Sequence, residues 1–561
     1  MATKPLVLKR QKAKASTRSS KFSASVEVTV CDLPFHIDKT FTYGIPDEFL
    51  DSVRIGSRVK VPFLQSEKTG YIRSVSLKEV SARPILSIKA DSGISESHWS
   101  FLQAIAERYA TNLDTVLKFV RDSKLTEATP KRARFKPRFE FASNETTRLI
   151  IREIEKSQGV TLIIAPTERE LLRVQEQLNN LGVSANRCRF GLRSAILQEI
   201  EELENIVIFD EWSEHYREQK APYWNVRDLA LIRARMQSIR ILFVSALPSF
   251  EIFRYQEEKI IQLGKRRGRR LGERLSYLPS SFQESVKNGL KQGSVLISVT
   301  TKDVLLAMIC RKCRTALRCK CGGRLRSSGK QIICSLCTEG VENWRCGECN
   351  HRDFYEIKSG ALNLKTQLGK IFPNTPIYIS TADKPVETIQ DKAIVIATPG
   401  VEPKITYHAI AILDCEYRAN LPYLRADELL RLQVFSIMEL LSRDGYFYLD
   451  LEGNHPLVQS ILKDRPIQQI EREYRELNQL QLPPIWNLTR ISNGNILQLA
   501  SSLAERFPSA KIQLTNGDRF LLVRTRIEDT QKLMEELRVL QKYLSMKSER
   551  LFKIERDPVN L

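Results

Sequence analysis

VTLIIAP (160–166), TERELLRVQEQLNNLG (167–182), NIVIFDE (205–211) and RILFVSA (240–246) decide the fold class of this chain. The first, third and fourth are short runs of β-branched and other apolar residues without polar alternation, as expected of strands buried on both faces. The second has helical periodicity and a Gly at its end. Short apolar strands alternating with helices predict a doubly wound parallel sheet. The alternation returns further on, with a helix near 361–371 and strands at PIYIS (376–380), AIVIATP (393–399) and AIAILD (409–414). Two α/β lobes are therefore expected, over 141–300 and 359–485.

The segment between the lobes, 301–358, holds eight of the eleven cysteines: Cys310, Cys313, Cys319, Cys321, Cys334, Cys337, Cys346 and Cys349. The order is C-x2-C, C-x-C, C-x2-C, C-x2-C, with Gly322, Gly323, Gly340 and Gly347 on or near the turns. Thiolates are soft ligands, and a pair in a tight turn presents both sulfurs to one tetrahedral ion. Four pairs suit two closed four-cysteine zinc sites. A disulfide framework is the alternative. The scarcity of cysteine elsewhere and the lack of a signal peptide favour reducing cytosol and metal. The one-residue spacing of Cys319 and Cys321 makes the tightest turn.

Ahead of the first lobe, SVEVTV (25–30), IGSRVKVPF (55–63) and TGYIRSVSL (69–77) read as β structure, and helical periodicity starts near Glu96. A β-rich N-terminal domain over 23–124 follows, then a basic, Pro-containing linker over 125–140. After the second lobe, KIQLT (511–515), RFLLVRT (519–525) and EDTQKLMEELRVLQKYL (528–544) predict a small α+β domain over 486–561. The fold class is multidomain α/β with a two-zinc insertion.

Composition sets the partners. No run of about 18 apolar residues exists to span a membrane. The net charge of +21 favours a polyanion. The first 21 residues carry seven Lys or Arg and no acid, so 1–22 reads as a disordered basic arm, either for binding or as a solubilising tail.

Ordered fragments carry a resemblance. LPFHIDKTFTYGIP followed by GSRVKVPF, FGLRSAI (190–196), DEWSEHYREQKAPYWNVRDLALIRA (210–234), SALPSFE (245–251), the cysteine block, NHPLVQSIL and REYRELNQLQLPP occur in the order of the primosomal protein N′ (PriA) family of replication-restart helicases. The chain resembles this family over about residues 26–490. The resemblance implies an N-terminal DNA-binding domain, two helicase-like lobes, and nested zinc pairing. Zinc 1 would use Cys310, Cys313, Cys346 and Cys349; zinc 2 would use Cys319, Cys321, Cys334 and Cys337. Sequential pairing, 310–321 and 334–349, satisfies the same chemistry.

Departures from the family shape the expected mechanism. No G-x-x-x-x-G-K-[ST] occurs, so the backbone cradle and Lys that hold ATP phosphates are missing. Motif II keeps Asp210 and Glu211, but Ser213 replaces its His. Gln433-Val434-Phe435-Ser436 stands where the family carries the motif that would supply an arginine finger, and Ala397-Thr398-Pro399-Gly400 stands for its G-T-Q-M. Asp210 and Glu211 read as a remnant, and ATP is not expected as a cofactor.

In the N-terminal domain the family's F-D-Y is Phe41-Thr42-Tyr43, and Leu64 replaces a Gly. Phe41 reads as core, and Tyr43 is either core or a base-stacking ring. Arg58 and Lys60 share a strand face that either tracks phosphates or is simply solvated. Lys265, Arg266, Arg267, Arg269 and Arg270, around Gly268, form a second patch suited to phosphates.

The resulting expectation is a replication-restart primosome protein without ATP-driven unwinding. Its partners would be forked and single-stranded DNA, primosome and replicative-helicase-loading proteins, and single-stranded DNA-binding protein. Its location would be cytoplasmic, at the nucleoid. An active ATP-dependent 3′-to-5′ DNA helicase and a zinc-ribbon RNA-binding or transcription-associated protein are the alternatives.

Overall fold

The computed structural model describes residues 19–125, 135–143, 145–300, 305–313, 315–320, 323, 325–328, 331–334, 339–341, 344–419, 421, 424–515 and 519–558. Two parallel sheets of six strands dominate it. In the first, the strand order is Cys188–Gly191, Val160–Ile164, Leu203–Phe209, Arg240–Ser245, Arg138–Phe141, Gln262–Leu263. Every residue of Val160–Ile164 is buried, which is why the run carries no polar alternation. Helices Thr146–Glu155 and Glu168–Asn180 cover one face; Val226–Gln237 and the N-terminal-domain helix Glu96–Arg108 cover the other.

The first sheet contains a strand in the segment expected to be linker. Arg138–Phe141 lies between Arg240–Ser245 and Gln262–Leu263, parallel to both. Phe139 is fully buried, and its ring meets that of Phe141 edge-on with centroids 5.3 Å apart. The linker reading therefore fails at 138–140; residues 126–134 lie outside the described residues.

The second sheet has the order Leu275–Ser276, Leu441–Leu449, Tyr407–Ile412, Val295–Ser298, Ile394–Ala397, Ile377–Ser380. Val295–Ser298 was expected in the first lobe but pairs with Ile394–Ala397 and Tyr407–Ile412 at the centre of the second. The cysteine segment is thus inserted within the second lobe. It leaves after Val295–Ser298 and is spanned by an antiparallel pair, Leu305–Cys310 with Phe354–Ser359.

The N-terminal domain is a six-stranded antiparallel sheet with an added pair, Ser20–Phe22 with Val80–Ala82. Residues 20–22 were expected in the disordered arm. They are ordered because Phe22 packs over Gly44, where a Cβ would stand 1.9 Å from its ring. Residues 1–18 of that arm lie outside the described residues. The C-terminal unit is an antiparallel sheet, Lys511–Thr515, Phe520–Arg526, Trp486–Ser492, Lys553–Arg556, packed by helices Ile496–Arg506 and Ile527–Met546. It docks on both neighbours: Arg217 donates to the Arg556 carbonyl at 2.8 Å, and Arg538 and Lys542 pair with Asp38 at 2.8 and 3.0 Å. Among the described residues no helix is long and apolar enough to cross a membrane.

Candidate functional site

A phosphate cradle in an α/β lobe is a strand, a Gly-rich loop and a helix N-terminus. Here the strand Arg138–Phe141 runs through residues 142–145 into helix Thr146–Glu155. The connection is short, and the N–H groups of its described residues are taken: Ala142 N–H donates to the Ser245 carbonyl at 2.7 Å. Ser143 N–H donates to Thr146 Oγ1 at 2.8 Å, and Glu145 N–H donates to Ser143 Oγ at 3.2 Å. The loop also places the Glu145 carboxylate where phosphate would need cations, and Arg267 pairs with it at 3.0 Å.

Asp210 and Glu211 follow strand Leu203–Phe209 and point to different surroundings. Asp210 has a left-handed backbone (φ 44°) and lines a cleft of about 320 Å³ between the lobes. Its Oδ1 accepts from Ser245 Oγ at 2.9 Å, and Ser245 Oγ accepts from Trp212 Nε1 at 3.0 Å. Burial pushes the Asp210 carboxyl up to about 6, with Glu170 acting in the same direction and Lys404 and the Ser245 hydroxyl against it.

The cleft is lined by the acids Glu170, Asp210, Glu214 and Glu402 against the cations Lys404 and Arg418. A triphosphate brings several negative charges, so this lining opposes it. The helix Ala426–Met438 contributes Gln433 and Ser436 to the wall, while Val434 and Phe435 are core. Arg169 closes the cleft from outside, donating to the Val401 and Val386 carbonyls at 3.0 and 2.8 Å, and Lys404 reaches Glu170 at 3.6 Å.

Glu211 is fully buried and faces away from this cleft. It accepts from Ser249 N–H and Ser249 Oγ, each at 3.0 Å, and from Arg227 Nη1 at 3.0 Å. Arg227 Nη2 also pairs with Glu251 at 3.1 Å; Glu251 pairs with Arg425 of the second lobe at 2.7 Å, and Arg425 with Glu428 at 3.2 Å. Glu428 accepts from Phe250 N–H at 2.7 Å. Asp228 joins through Arg227 Nε at 3.9 Å and also pairs with Arg108 at 2.9 Å. Burial raises the Asp228 carboxyl, but Arg108, Arg227 and Arg556 outweigh burial and hold it well below the usual carboxylate range. Glu211 is thereby tied into an ion-pair network that reaches the second lobe through Glu251 and Arg425, with three hydrogen bonds already on its carboxylate.

Because Asp210 binds its proton more tightly folded than unfolded, its contribution is complete below about pH 4 and is lost as pH rises through 6. Asp210→Asn should therefore stabilise the fold by about 1 kcal/mol at pH 8, discounting cleft water, and by nothing at pH 4. Thermal melts of both proteins across that range check it.

In the cysteine segment, the sulfurs of Cys310, Cys313, Cys346 and Cys349 lie within 4.8 Å of one another. Cys310 Sγ is 3.5 Å from Cys349 Sγ, and Cys313 Sγ is 3.4 Å from Cys346 Sγ. Two C-x2-C turns facing each other with four soft donors fit a tetrahedral zinc, and these four residues would hold it. The gathered set is the outer set of the nested arrangement. Cys319 and Cys334 pack against the same apolar cluster; Cys321 and Cys337 lie outside the described residues.

In the N-terminal domain, Arg58 and Lys60 project from one face of strand Ser57–Phe63, with Val59 and Val61 buried behind. Lys60 is exposed. Arg58 is held by Asp122 at 2.7 Å, and Tyr71 also donates to Asp122 at 2.7 Å. Phe41 is half-buried and meets Phe63 edge-on at 5.1 Å.

The profile of the 3'DNA-binding domain (3'BD) of PriA matches residues 28–121. "Probable replication restart protein PriA" of Mycobacterium tuberculosis H37Rv is 26% identical over 330 residues, covering 53% of this chain and 50% of the relative. Its namesake in Mycobacterium leprae is 25% identical over 347 residues, covering 56% and 53%. "Replication restart protein PriA" of Rickettsia felis is 23% identical over 266 residues, covering 42% and 40%.

Residues 28–121 thus match the PriA 3'DNA-binding domain, and the chain is similar to PriA replication restart proteins.

It spans about half the length of the curated PriA relatives it matches. A solved chain, "S. cerevisiae Dbp5 bound to RNA and ADP BeF3", covers 69% of this chain and 98% of its own at 11% identity and a TM-score of 0.33, too low to carry an argument.

Several residues assigned to DNA from sequence have other work in this chain. Tyr43 is 4% exposed in the apolar core, and its hydroxyl donates to the Pro62 carbonyl at 3.3 Å, so it offers no stacking face. Leu64 has a left-handed backbone (φ 49°), as the Gly it replaces would permit, and is 75% exposed. The basic run 265–270 is a strap between the lobes. Its Gly268 lies against Asp464, Arg266 pairs with Asp464 at 2.5 Å, and Arg269 donates to the Leu441 carbonyl at 2.9 Å. Arg266 and Arg269 are therefore struts. Lys265, Arg267 and Arg270 remain outward, Arg267 toward Glu145. Sequence reasoning passed over Arg227, Glu251 and Arg425. The Arg-Asp pair at 227–228, inside the motif II fragment, was the available signal.

Proposed function

We propose that this PriA-family chain binds stalled or branched DNA forks and single-stranded DNA and helps reload the replication machinery without ATP-driven unwinding. The observation that carries the absence of a motor is the strand–loop–helix at 138–155, where the described N–H groups of Ser143 and Glu145 are taken by Thr146 and Ser143 and the loop's charge is the Glu145 carboxylate, paired with Arg267. The acid-lined cleft and the sequestered Glu211 support the same reading.

DNA recognition rests on the match of residues 28–121 to the 3'DNA-binding domain and on the excess of basic residues. Two zincs per chain complete the assembly, the first on Cys310, Cys313, Cys346 and Cys349, the second on Cys319, Cys321, Cys334 and Cys337. Partners in this role are primosome and helicase-loading proteins and single-stranded DNA-binding protein, in the cytoplasm at the nucleoid.

Purified protein should bind a model fork more tightly than blunt duplex or RNA of equal length, with affinity falling steeply with salt. Equal affinity for all three, or preference for RNA, contradicts this function. DNA should not stimulate phosphate release from ATP.

A further inference from the structure

One contact between the lobes is made by a buried carboxylate with too little positive charge around it. Helix Phe250–Glu257 of the first lobe begins after its N-cap Ser249, and the N–H of Phe250 donates across the interface to Glu428 Oε1 at 2.7 Å. Glu428 sits in the first turn of helix Ala426–Met438 of the second lobe and is 3% exposed. The first N–H groups of a helix have no partner within it, so Glu428 caps a helix of the other lobe. Other ties between the lobes, Arg169 and Arg269 on main-chain carbonyls, use guanidiniums that stay charged at any working pH.

Glu211, Glu251 and Glu428 are three buried carboxylates served by two guanidiniums, those of Arg227 and Arg425. Arg227 is divided between Glu211 and Glu251, and Arg425 between Glu251 at 2.7 Å and Glu428 at 3.2 Å. Arg431, on the same helix as Glu428, is taken by Glu473 of helix Pro466–Gln479. Glu214, Arg217, Asp228, Arg556 and Asp557 face Glu428 across a cavity of about 70 Å³. Of these, Asp228 is held by Arg108, Arg217 by the Arg556 and Asp557 carbonyls, and Arg556 by Asp557. One carboxylate of the three is therefore in excess, and a buried charge without its own partner is costly. Burial acts on Glu251 and Glu428 alike, but Arg227 and Arg425 outweigh it at Glu251 and hold that carboxyl well below the usual range. At Glu428, burial and the neighbouring Glu251 prevail over Arg425 and Arg431 and push the carboxyl up to about 7. The proton of the pair sits on Glu428.

We propose that Glu428 is a proton-dependent latch between the lobes: protonated, it caps helix Phe250–Glu257 and the lobes stay closed, and ionised, it leaves an unmatched buried charge that loosens them. Because Glu428 binds its proton more tightly in the closed arrangement than in water, the latch is complete below about pH 4.5 and is lost as pH rises through 7. Over that interval the closed-to-open ratio falls by up to about tenfold per pH unit. The latch is independent of the DNA-binding reading, since a chain that binds no nucleic acid would show it too.

The test is hydrogen exchange of the full chain between about pH 5 and 8, corrected for the intrinsic pH dependence of amide exchange. Mass spectrometry reads the peptides that cover Phe250–Glu257 and Ala426–Met438. Opening of this interface in the parent should rise about ten- to a hundredfold across the range. Glu428→Gln keeps an oxygen for the Phe250 N–H and cannot ionise, so it should stay as protected at pH 8 as the parent is at pH 5. Glu251→Gln leaves Arg425 to Glu428 alone, and should shrink the rise and end it at lower pH. A parent whose opening does not change with pH overturns the latch. So does an equal rise in Glu428→Gln, which would place the proton on another group, such as Asp210 in the cleft. If Glu428→Gln does not fold, an unaltered profile in Glu251→Gln overturns the latch by itself.

Discussion

Arg227→Ala should destabilise the chain by about 3–5 kcal/mol, the usual cost of stripping one partner from a buried ion pair. The substitution leaves Glu211, fully buried, and Glu251, 7% exposed, without the guanidinium that lies 3.0 and 3.1 Å from them. Ser249 still donates to Glu211 and Arg425 still pairs with Glu251, so the loss is large without being complete. Arg227→Met combined with Glu211→Gln removes both charges together and should recover much of it. Urea unfolding monitored by tryptophan fluorescence checks both, since Trp212 and Trp224 lie in the same lobe. A single variant as stable as the parent would show that the network does not brace the lobes.

Cys346→Ser should release the same zinc as Cys310→Ser and unfold the segment around it. Structural zinc in small closed sites supplies on the order of 10–16 kcal/mol of apparent binding free energy at neutral pH, most of which acts as folding free energy. The outer four thiols already stand within 4.8 Å, so the ion closes an assembled site. Metal counting by mass spectrometry of the native proteins should find one equivalent missing from each variant, and the zinc lost with Cys334→Ser should be a different one. Joint loss on substituting Cys310 or Cys334 would favour sequential pairing.

The parallel strands were legible because strands buried on both faces are continuous apolar runs, and Val160–Ile164, Leu203–Phe209 and Arg240–Ser245 all are. Sheet membership was not, since Val295–Ser298 has no local mark of the sheet it joins; its neighbours are about a hundred residues away. Arg138–Phe141 was masked by the basic, Pro-containing residues before it. At the candidate site, spacing brought out the outer cysteines because chelation is a local geometric demand. Tyr43 and Arg266 misled for the opposite reason. An aromatic or a cation in sequence carries no label for core or surface, and Tyr43 went to core while Arg266 met an Asp about two hundred residues away. Motif II kept its letters, and the partners Arg227 and Ser249 that hold Glu211 are visible only in the structure.

The central claim is that the helicase body of this chain is a scaffold. Its most direct test is phosphate release from labelled ATP with magnesium, measured with and without a saturating DNA fork, alongside Asp210→Asn. The account predicts no release above the protein-free rate in any of these samples. A DNA-stimulated rate that Asp210→Asn abolishes would contradict it.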